Sequence, residues 1–359
     1  MVVAPVKPKR RPFFRKKWFL WPVGLLLTIV ICIVLAFNLS PWPSALLIRY
    51  VFESGADDVK KEMQQFAPGG ITELPDESYR PDDGDAKLDV YFPEASSAPG
   101  TYLPTLVWIH GGAWISGHKD DNPAYFQLIA AQGFTVVSIG YSIGPEKTYP
   151  TALHQINDAL GFIQQQADRF HVDVNRIAIA GDSAGAQLTS QIATVITNPG
   201  YASELELTPT LKPDQLRAVV LFCGIYDMNA FKGHNVDDVK PSDSFLSKLL
   251  QWGVDSSLWA YTGERGGDAD ALREMSTIDF VTDTFPTTFI SGGNDDPLTD
   301  EQSRPLASRL DSLGVSVQSL FYPDDYPAKL AHEYQFNLDT PDGQQALNQM
   351  LTFLKDQMS

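Results

Sequence analysis

The sequence predicts an α/β sandwich, a mostly parallel central sheet with helices on both faces, that carries a helical cap insertion and is preceded by a transmembrane helix. Three observations carry that expectation. Apolar runs of strand length alternate with helix-compatible segments over roughly 270 residues from about Ala86 onward. The alternation lapses once, between Asp227 and Thr284, where no convincing strand occurs. Near the N-terminus, the 20 residues from Trp18 to Phe37 contain no charge.

That uncharged run comes first in the chain. At ~1.5 Å per residue its length matches the ~30 Å hydrocarbon core of a bilayer. Trp18, Trp21 and Trp42 stand near its two ends, where interfacial indoles are expected. Lys7, Lys9, Arg10, Arg11, Arg15, Lys16 and Lys17 place +7 on the first 17 residues, so a chain of net charge −17 carries −24 on the remainder. The positive-inside rule then expects a single-pass anchor in the cell membrane, with a cytoplasmic N-terminus and an extracytoplasmic body. A cleaved signal peptide, cut near Pro43-Ser44-Ala45, is the competing reading. Its apolar core usually spans only about 7–15 residues, which favours a retained anchor. Ile31 before Cys32 argues against a lipoprotein signal.

The expected organisation is a basic cytoplasmic segment at 1–17, a transmembrane anchor at 18–39 and a juxtamembrane linker or cap segment at 40–84. The α/β domain follows at 85–359, with its cap insertion at about 228–284. Helical character in the juxtamembrane part is confined to Asp57 to Phe66, and a Pro/Gly/Asp-rich passage follows. A body this acidic repels phosphate backbones, so nucleic acid is not an expected partner. The expected partner of the N-terminal helix is the lipid bilayer. Two cysteines, Cys32 and Cys223, indicate no disulfide framework and no chemistry.

Within the body, strands are expected at Leu88–Phe92, Thr105–His110, Thr135–Ile139, Arg176–Ala180, Ala218–Phe222, Thr287–Ser291 and Val315–Tyr322. Several are continuous apolar runs, as strands buried on both faces require. Helices are expected at Pro123–Gln132, Thr151–Phe170, Ala184–Thr197, Asp300–Leu313 and Gln344–Lys355. The insertion holds shorter helical patterns at Ser244–Gly253 and Ser256–Tyr261. Its aromatics Phe245, Trp252, Trp259 and Tyr261 are expected to form the core of the cap rather than an acyl pocket.

One stretch carries chemistry. Ile177-Ala-Ile-Ala-Gly-Asp-Ser-Ala-Gly185 is a strand ending in a Gly-x-Ser-x-Gly turn, with a helix starting at once. Such a strained reversal lifts the Ser183 hydroxyl clear of the backbone. A serine needs a base, and the base needs a carboxylate to fix its tautomer. The loop after Thr287–Ser291 offers Asp295, Asp296 and Asp300, of which Asp300 is also placed to cap a helix. His332 is the only histidine beyond that loop. His118, His154, His171 and His234 read as surface or helix residues. His110-Gly111-Gly112-Ala113-Trp114 follows a strand, and its small residues allow backbone N–H groups to approach a substrate oxygen. The expected donors are those of Gly112, Ala113 and Ala184.

Together His-Gly-Gly-Ala-Trp at 110–114, Gly-Asp-Ser-Ala-Gly at 181–185, Asp-Pro-Leu-Thr-Asp at 296–300 and His332 resemble the hormone-sensitive-lipase-like branch of the α/β-hydrolases. That branch includes bacterial carboxylesterases, acetyl esterases and feruloyl-type esterases. Tyr141-Ser-Ile-Gly-Pro-Glu146 is similar to the branch's Tyr-Arg-Leu-Ala-Pro-Glu. The similarity covers about residues 84–357. It implies an α/β-hydrolase fold, Asp296 as the acid, and a serine mechanism with no cofactor and no metal. Three departures stand out: Ala113 at the frequent third glycine, Ser142 at the arginine, and Glu333 after His332 where glycine is common.

The expected function is therefore a membrane-anchored serine carboxylesterase that works through an acyl-enzyme on Ser183, His332 and Asp296, with a small-molecule ester as its other expected partner. A cell-envelope acyltransferase using the same triad and a non-catalytic binding protein on a hydrolase scaffold are the alternatives.

Overall fold

The computed structural model describes residues 14–231 and 245–359. Residues 1–13 of the basic segment, His234 with the rest of 232–244, and the side chain of Phe245 lie outside the described residues.

Helix α1 (Phe14–Leu39) contains Trp21–Leu39, of mean hydropathy 2.6 and with none of it buried against the body. It is the one helix among the described residues long and apolar enough, by length and composition, to cross a membrane. After Ser40 and Pro41, α2 (Trp42–Met63) begins with Pro43 in its first turn, where a missing N–H costs nothing, and ends on Lys60 and Lys61, whose charge suits the C-terminal end of the helix dipole. This helix starts well before the expected Asp57. Leu46, Leu47, Val51 and Phe52 are all exposed, which spreads its apolar residues around the helix and hides the 3.6-residue period.

The body is built on eight strands: β1 (Ile71–Ser78), β2 (Lys87–Pro93), β3 (Leu103–Ile109), β4 (Thr135–Ile139), β5 (Val172–Asp182), β6 (Leu216–Phe222), β7 (Thr288–Gly292) and β8 (Val317–Phe321). They form a single sheet in the order β1-β2-β4-β3-β5-β6-β7-β8. β1 and β2 run antiparallel, and the six strands from β4 to β8 are parallel to one another. β1 is not foreseen by the sequence. It is a mostly exposed edge strand with a register shift between Leu74 and Glu77, and it shows no apolar run.

The helices of the body are α3 (Pro123–Ala130), α4 (Thr151–Gln165), α5 (Ala167–Phe170), α6 (Ala184–Thr197), α7 (Pro199–Glu204), α8 (Phe245–Thr262), α9 (Ala269–Met275), α10 (Arg304–Ser312) and α11 (Pro341–Gln357). Two expected boundaries shift. The segment Thr151–Phe170 breaks at Gln166 into α4 and α5, and a π-helical turn at Thr299–Ser303 leads into α10. Conversely, the two helical patterns expected in the insertion are one helix, α8.

The alternation of side chains along each strand divides the core. Ile177 and Ile179 of β5 join Val107, Ile109, Val219 and Leu221 beneath α4 and α6. Ala178 and Ala180 face the other way, with Leu106, Trp108, Val220 and Phe222, toward α3 and α11. Small alanines on that side make room for Trp108. Its indole lies 5.7–6.0 Å, between ring centroids, from Tyr125, Phe126, Phe222 and Phe336. A third, smaller cluster joins Ala45 and Ile48 of α2 to Ala260 of α8 and to Ile115, so α2 and the insertion pack on each other.

Trp108→Ala is expected to lower stability by about 3–5 kcal/mol, as loss of a buried aromatic does. Trp108→Phe is expected to recover more than half of that. Chemical unfolding of the full chain in detergent, followed by far-UV circular dichroism, measures both.

Candidate active site

β5 passes into α6 through Ser183, whose backbone is held at φ 50° and ψ −119°. Two glycines make so tight a reversal possible. A Cβ on Gly185 would collide with the carbonyls of Ile109 and His110 at the end of β3, and one on Gly181 would collide with the Gly185 carbonyl and the Thr189 hydroxyl. The helix can therefore start against the neighbouring strand only with glycine at both places. The Ser183 N–H donates to Phe222 O at 2.8 Å, which ties the turn to β6.

The loops after β7 and β8 bring the other two groups to this turn. His332 Nε2 lies 3.0 Å from Ser183 Oγ, and His332 Nδ1 lies 2.9 Å from Asp296 Oδ2. The second oxygen of Asp296 accepts the Leu298 N–H at 3.0 Å, so both carboxylate oxygens are occupied and the residue is buried. The two loops are zipped: the Asp295 N–H donates to Leu330 O, and the Leu330 N–H donates to Asn294 Oδ1, both at 3.0 Å. The competing aspartates lie elsewhere. Asp295 is exposed, 3.9 Å from Lys329 Nζ, and Asp300 pairs with Arg304 at 2.7 Å.

Among the other histidines, His118 is exposed and His154 is half-buried on α4, while His110 is buried and stacks on Tyr141. Burial pushes the His110 imidazole down to about 4. His171 departs from expectation. It is buried, adopts the left-handed conformation that ends α5, and packs at a tilt against Phe92 with centroids 4.7 Å apart.

The loop after β3 takes three consecutive left-handed residues, Gly112 (φ 104°), Ala113 (φ 52°) and Trp114 (φ 60°). Glycine would be unstrained at the second of these, so Ala113 stores backbone strain there. The Gly111 N–H is consumed by Asp182, which accepts it at 2.8 Å and takes the Trp108 indole N–H at 2.8 Å with its other oxygen. By contrast, the N–H groups of Gly112, Ala113 and Ala184 donate to no protein acceptor among the described residues. Trp114 holds the loop to two elements: its indole N–H reaches Gln187 of α6 at 3.1 Å, and its ring stacks on Tyr261 of α8 with centroids 5.5 Å apart. Tyr261 is thus core, and Trp252 packs half-buried on the cluster that also borders Ala113. Trp259 carries Arg265 over its ring, 5.4 Å from the centroid.

Five further residues shape the site, and none of them is expected to do so from the sequence. Asp182 joins the serine turn to the β3 loop, as described. Arg49 of α2 donates to Ile115 O at 2.6 Å, to Gly144 O at 2.8 Å and to both carboxylate oxygens of Glu146 at 2.7 Å. Gln335, fully buried, donates to Cys223 Sγ at 3.2 Å and to Ser291 Oγ at 3.1 Å, which braces the His332 loop on the ends of β6 and β7. Cys223 also accepts the Glu333 N–H at 3.4 Å. Glu333 sits at φ 61°, which explains why glycine is common there, and its Oε1 lies 3.8 Å from His332 Nε2. The motif residue Asp182 was visible as part of Gly-Asp-Ser. Glu333 and Gln335 follow His332 on its own loop, whereas Arg49 and Cys223 approach the site from distant parts of the chain. Ser142, at the arginine position, is buried in a network with Gln155 and Asp85.

Cys223 Sγ, Asp296 and His332 offer ligand atoms within 4.8 Å of one another, so their fitness for a cation can be judged. Every one of these atoms already has a protein partner, and burial keeps the Cys223 thiol well above its usual pKa. The donors are committed to one another, and a protonated thiol is a poor ligand.

The charge on His332 follows from its acidic surroundings. Burial pulls its imidazole down, but the hydrogen bond to Asp296 and the charges of Glu333, Asp296 and Asp182 prevail and push it up to about 9. With 37 % of the side chain open to solvent, water screens the half-exposed Glu333 more than the buried Asp296. Asp182 is itself held well above the usual carboxylate range, first by burial and then by the charge of Glu333.

Residues 88–310 match the family model BD-FAE, more than half of the chain. Esterase LipC of Mycobacterium tuberculosis is 28% identical over 238 residues, 66% of this chain and 54% of the relative, so the chain spans about half the length of the curated relatives it matches. Among solved structures, esterase B from Lactobacillus rhamnosis superposes with a TM-score of 0.72 at 18% identity, covering 89% of this chain and 96% of that one. A hyperthermophilic esterase from the archaeon Pyrobaculum calidifontis does so with a TM-score of 0.66 at 21% identity, covering 87% and 91%. At such identities the structural likeness speaks to the fold, while the family match is made by the sequence. The chain belongs to the BD-FAE family and has the α/β-hydrolase fold.

Proposed function

We propose that this chain is a membrane-anchored serine carboxylesterase, with Ser183 as nucleophile, His332 as general base, Asp296 as its orienting acid, and the N–H groups of Gly112, Ala113 and Ala184 as the oxyanion hole. The observation that carries this reading is the relay from Asp296 through His332 to Ser183, at 2.9 and 3.0 Å. It gives Ser183 the base without which its hydroxyl does not attack. The unengaged amides beside it support the oxyanion assignment, and the names of the relatives support ester hydrolysis.

In this mechanism Ser183 Oγ attacks the ester carbonyl as its proton passes to His332 Nε2, while Asp296 Oδ2 accepts the Nδ1–H and stabilises the imidazolium. The carbonyl oxygen becomes an oxyanion that receives the three backbone N–H groups, each worth roughly 100-fold or more in rate. His332 then gives its proton to the departing alcohol. Water, deprotonated by the same nitrogen, releases the acid from the acyl-serine. The side chains and amides named complete this cycle by themselves.

Membrane anchoring is the second part of the proposal. It is supported by the length and apolarity of α1, by the exposure of its apolar residues, which touch the body only where Arg265 reaches the Asn38 carbonyl at its end, and by the +7 of the preceding segment. By the positive-inside rule the body lies outside the cytoplasm.

A fluorophosphonate probe is expected to label the full-length chain but not Ser183→Ala. Hydrolysis of a short-chain aryl ester should fall on the order of a millionfold in that variant and roughly 10,000-fold in Asp296→Asn. Labelling that is equal in wild type and Ser183→Ala would remove Ser183 from its role.

The pH dependence follows from His332. Only the neutral imidazole accepts a proton, so kcat/KM is expected to rise with pH through about 9, on the alkaline side of an ordinary histidine. Glu333→Gln removes a charge that favours the imidazolium, so the acid limb should move to lower pH. Stability runs the other way. A histidine raised in the folded state stabilises it fully below about 6.5 and loses that contribution as pH rises through about 9. A pH–rate profile and thermal unfolding across the same range test both signs.

A further inference from the structure

Exposed large hydrophobic side chains are distributed very unevenly. Among the described residues, every one except Tyr102 lies in α1 or α2. Those of α1 are accounted for by the proposed membrane span, and those of α2 are not. Leu46, Leu47, Tyr50 and Val51 are 49, 50, 71 and 58 % exposed. Their spacing of i, i+1, i+4 and i+5 places them on one helical face. The opposite face carries Ala45 and Ile48, which are buried against Ile115 and Ala260. Monomeric proteins rarely leave so many neighbouring large apolar groups in water, and such a face marks an interface.

We infer that this face of α2 rests on the outer leaflet of the bilayer that α1 crosses, at the boundary between head groups and acyl chains. The inference rests on the anchor reading given above. Only Ser40 and Pro41 separate the two helices, so α2 begins within about 11 Å of the point where α1 ends. Trp42 and Tyr50 are aromatics with a polar edge, the type that gathers at membrane interfaces. The apolar character also fades with distance from α1. Beyond Ser54 the same face continues with Asp58 and Lys61, both exposed. The contact thus occupies about three turns, or ~18 Å at 1.5 Å per residue.

The contact is apolar rather than electrostatic. Arg49, the only basic residue in this half of α2, is turned inward and engaged by Ile115, Gly144 and Glu146. The apolar part of the face, from Trp42 to Ser54, presents no cation to read lipid charge, so zwitterionic lipid suffices and salt does not release it. The inward side of α2 touches the β3 loop through Ile48 and Arg49, and Ala113 borders the same cluster. One helix diameter, ~10 Å, therefore separates the leaflet from the loop that carries two of the proposed oxyanion donors. Esters presented at the membrane surface are the substrates this geometry favours.

The test uses the full-length chain with Cys32→Ala, in phosphatidylcholine nanodiscs. Single nitroxides are placed by Leu47→Cys and Tyr50→Cys on the face, Val34→Cys in α1 and Lys61→Cys at the far end of α2, with circular dichroism to verify folding. Cys223 is buried and stays unlabelled. Accessibility to oxygen, which partitions into lipid, is compared with that to a water-soluble nickel chelate. The expected ratio of oxygen to nickel collisions is several-fold higher at 34, 47 and 50 than at 61, and unchanged by added salt. Nickel-favoured labels at 47 and 50 with an oxygen-favoured label at 34 overturn the inference while leaving the anchor intact. Labels at 47 and 50 that are shielded from both reagents and show spin–spin broadening overturn it in favour of a second copy of this chain. A nickel-favoured label at 34 removes the anchor, and the contact with it.

Discussion

The reversal at Ser183 is the constraint on which the rest of the site depends. A residue held at φ 50° costs backbone strain on the order of 1–3 kcal/mol, which the surroundings must over-determine. They do so from three directions. Gly185 lies against the carbonyls that end β3, the Ser183 N–H is fixed by Phe222 of β6, and Asp182 grips Trp108 and Gly111. Because β5 lies between β3 and β6 in the sheet, these contacts join the carboxyl ends of three adjacent parallel strands. Loops that leave those ends are then obliged to meet, and the β7 and β8 loops deliver Asp296 and His332 to the same edge. That is where open α/β sheets generally place their ligands.

The electrostatics are crowded on the acid side. Asp182, Asp296 and Glu333 all act on the one imidazole, with Glu333 contributing from a left-handed position that a glycine would occupy without strain. A buried carboxyl such as Asp182 is costly when ionised. It is retained because both of its oxygens accept hydrogen bonds that fix the β3 loop. Positioning and basicity are thus coupled through the same few groups, and activity and stability respond to pH with opposite sign.

What the sequence made legible follows from burial. β4 and α6 are found at their expected bounds because each is enclosed on all sides and contains no charged residue to break its pattern. β1 was invisible since an edge strand needs only one neighbour and tolerates Thr, Glu, Pro and Asp along it. α2 was legible only in part, because residues that face outward there are as apolar as those that face inward. At the site, the serine turn, the acid loop and His332 announce themselves through local motifs. Arg49, Cys223 and Gln335 carry no local signature, since each acquires its role only when elements 60 or more residues apart come together. Expectations for His171 failed for a related reason: a histidine that ends a short helix was buried by Phe92 of a distant strand.

The central claim is that catalysis proceeds through a covalent acyl group on Ser183. Rapid quenching of the full-length chain with an activated ester in excess, followed by peptide mapping by mass spectrometry, tests it most directly. The account predicts a single acyl adduct on the peptide that carries Ser183, lost in Ser183→Ala and accumulating when His332 is protonated only in so far as acylation outruns deacylation. Turnover of the ester with no adduct on that peptide, or with the acyl group on another residue, would contradict it.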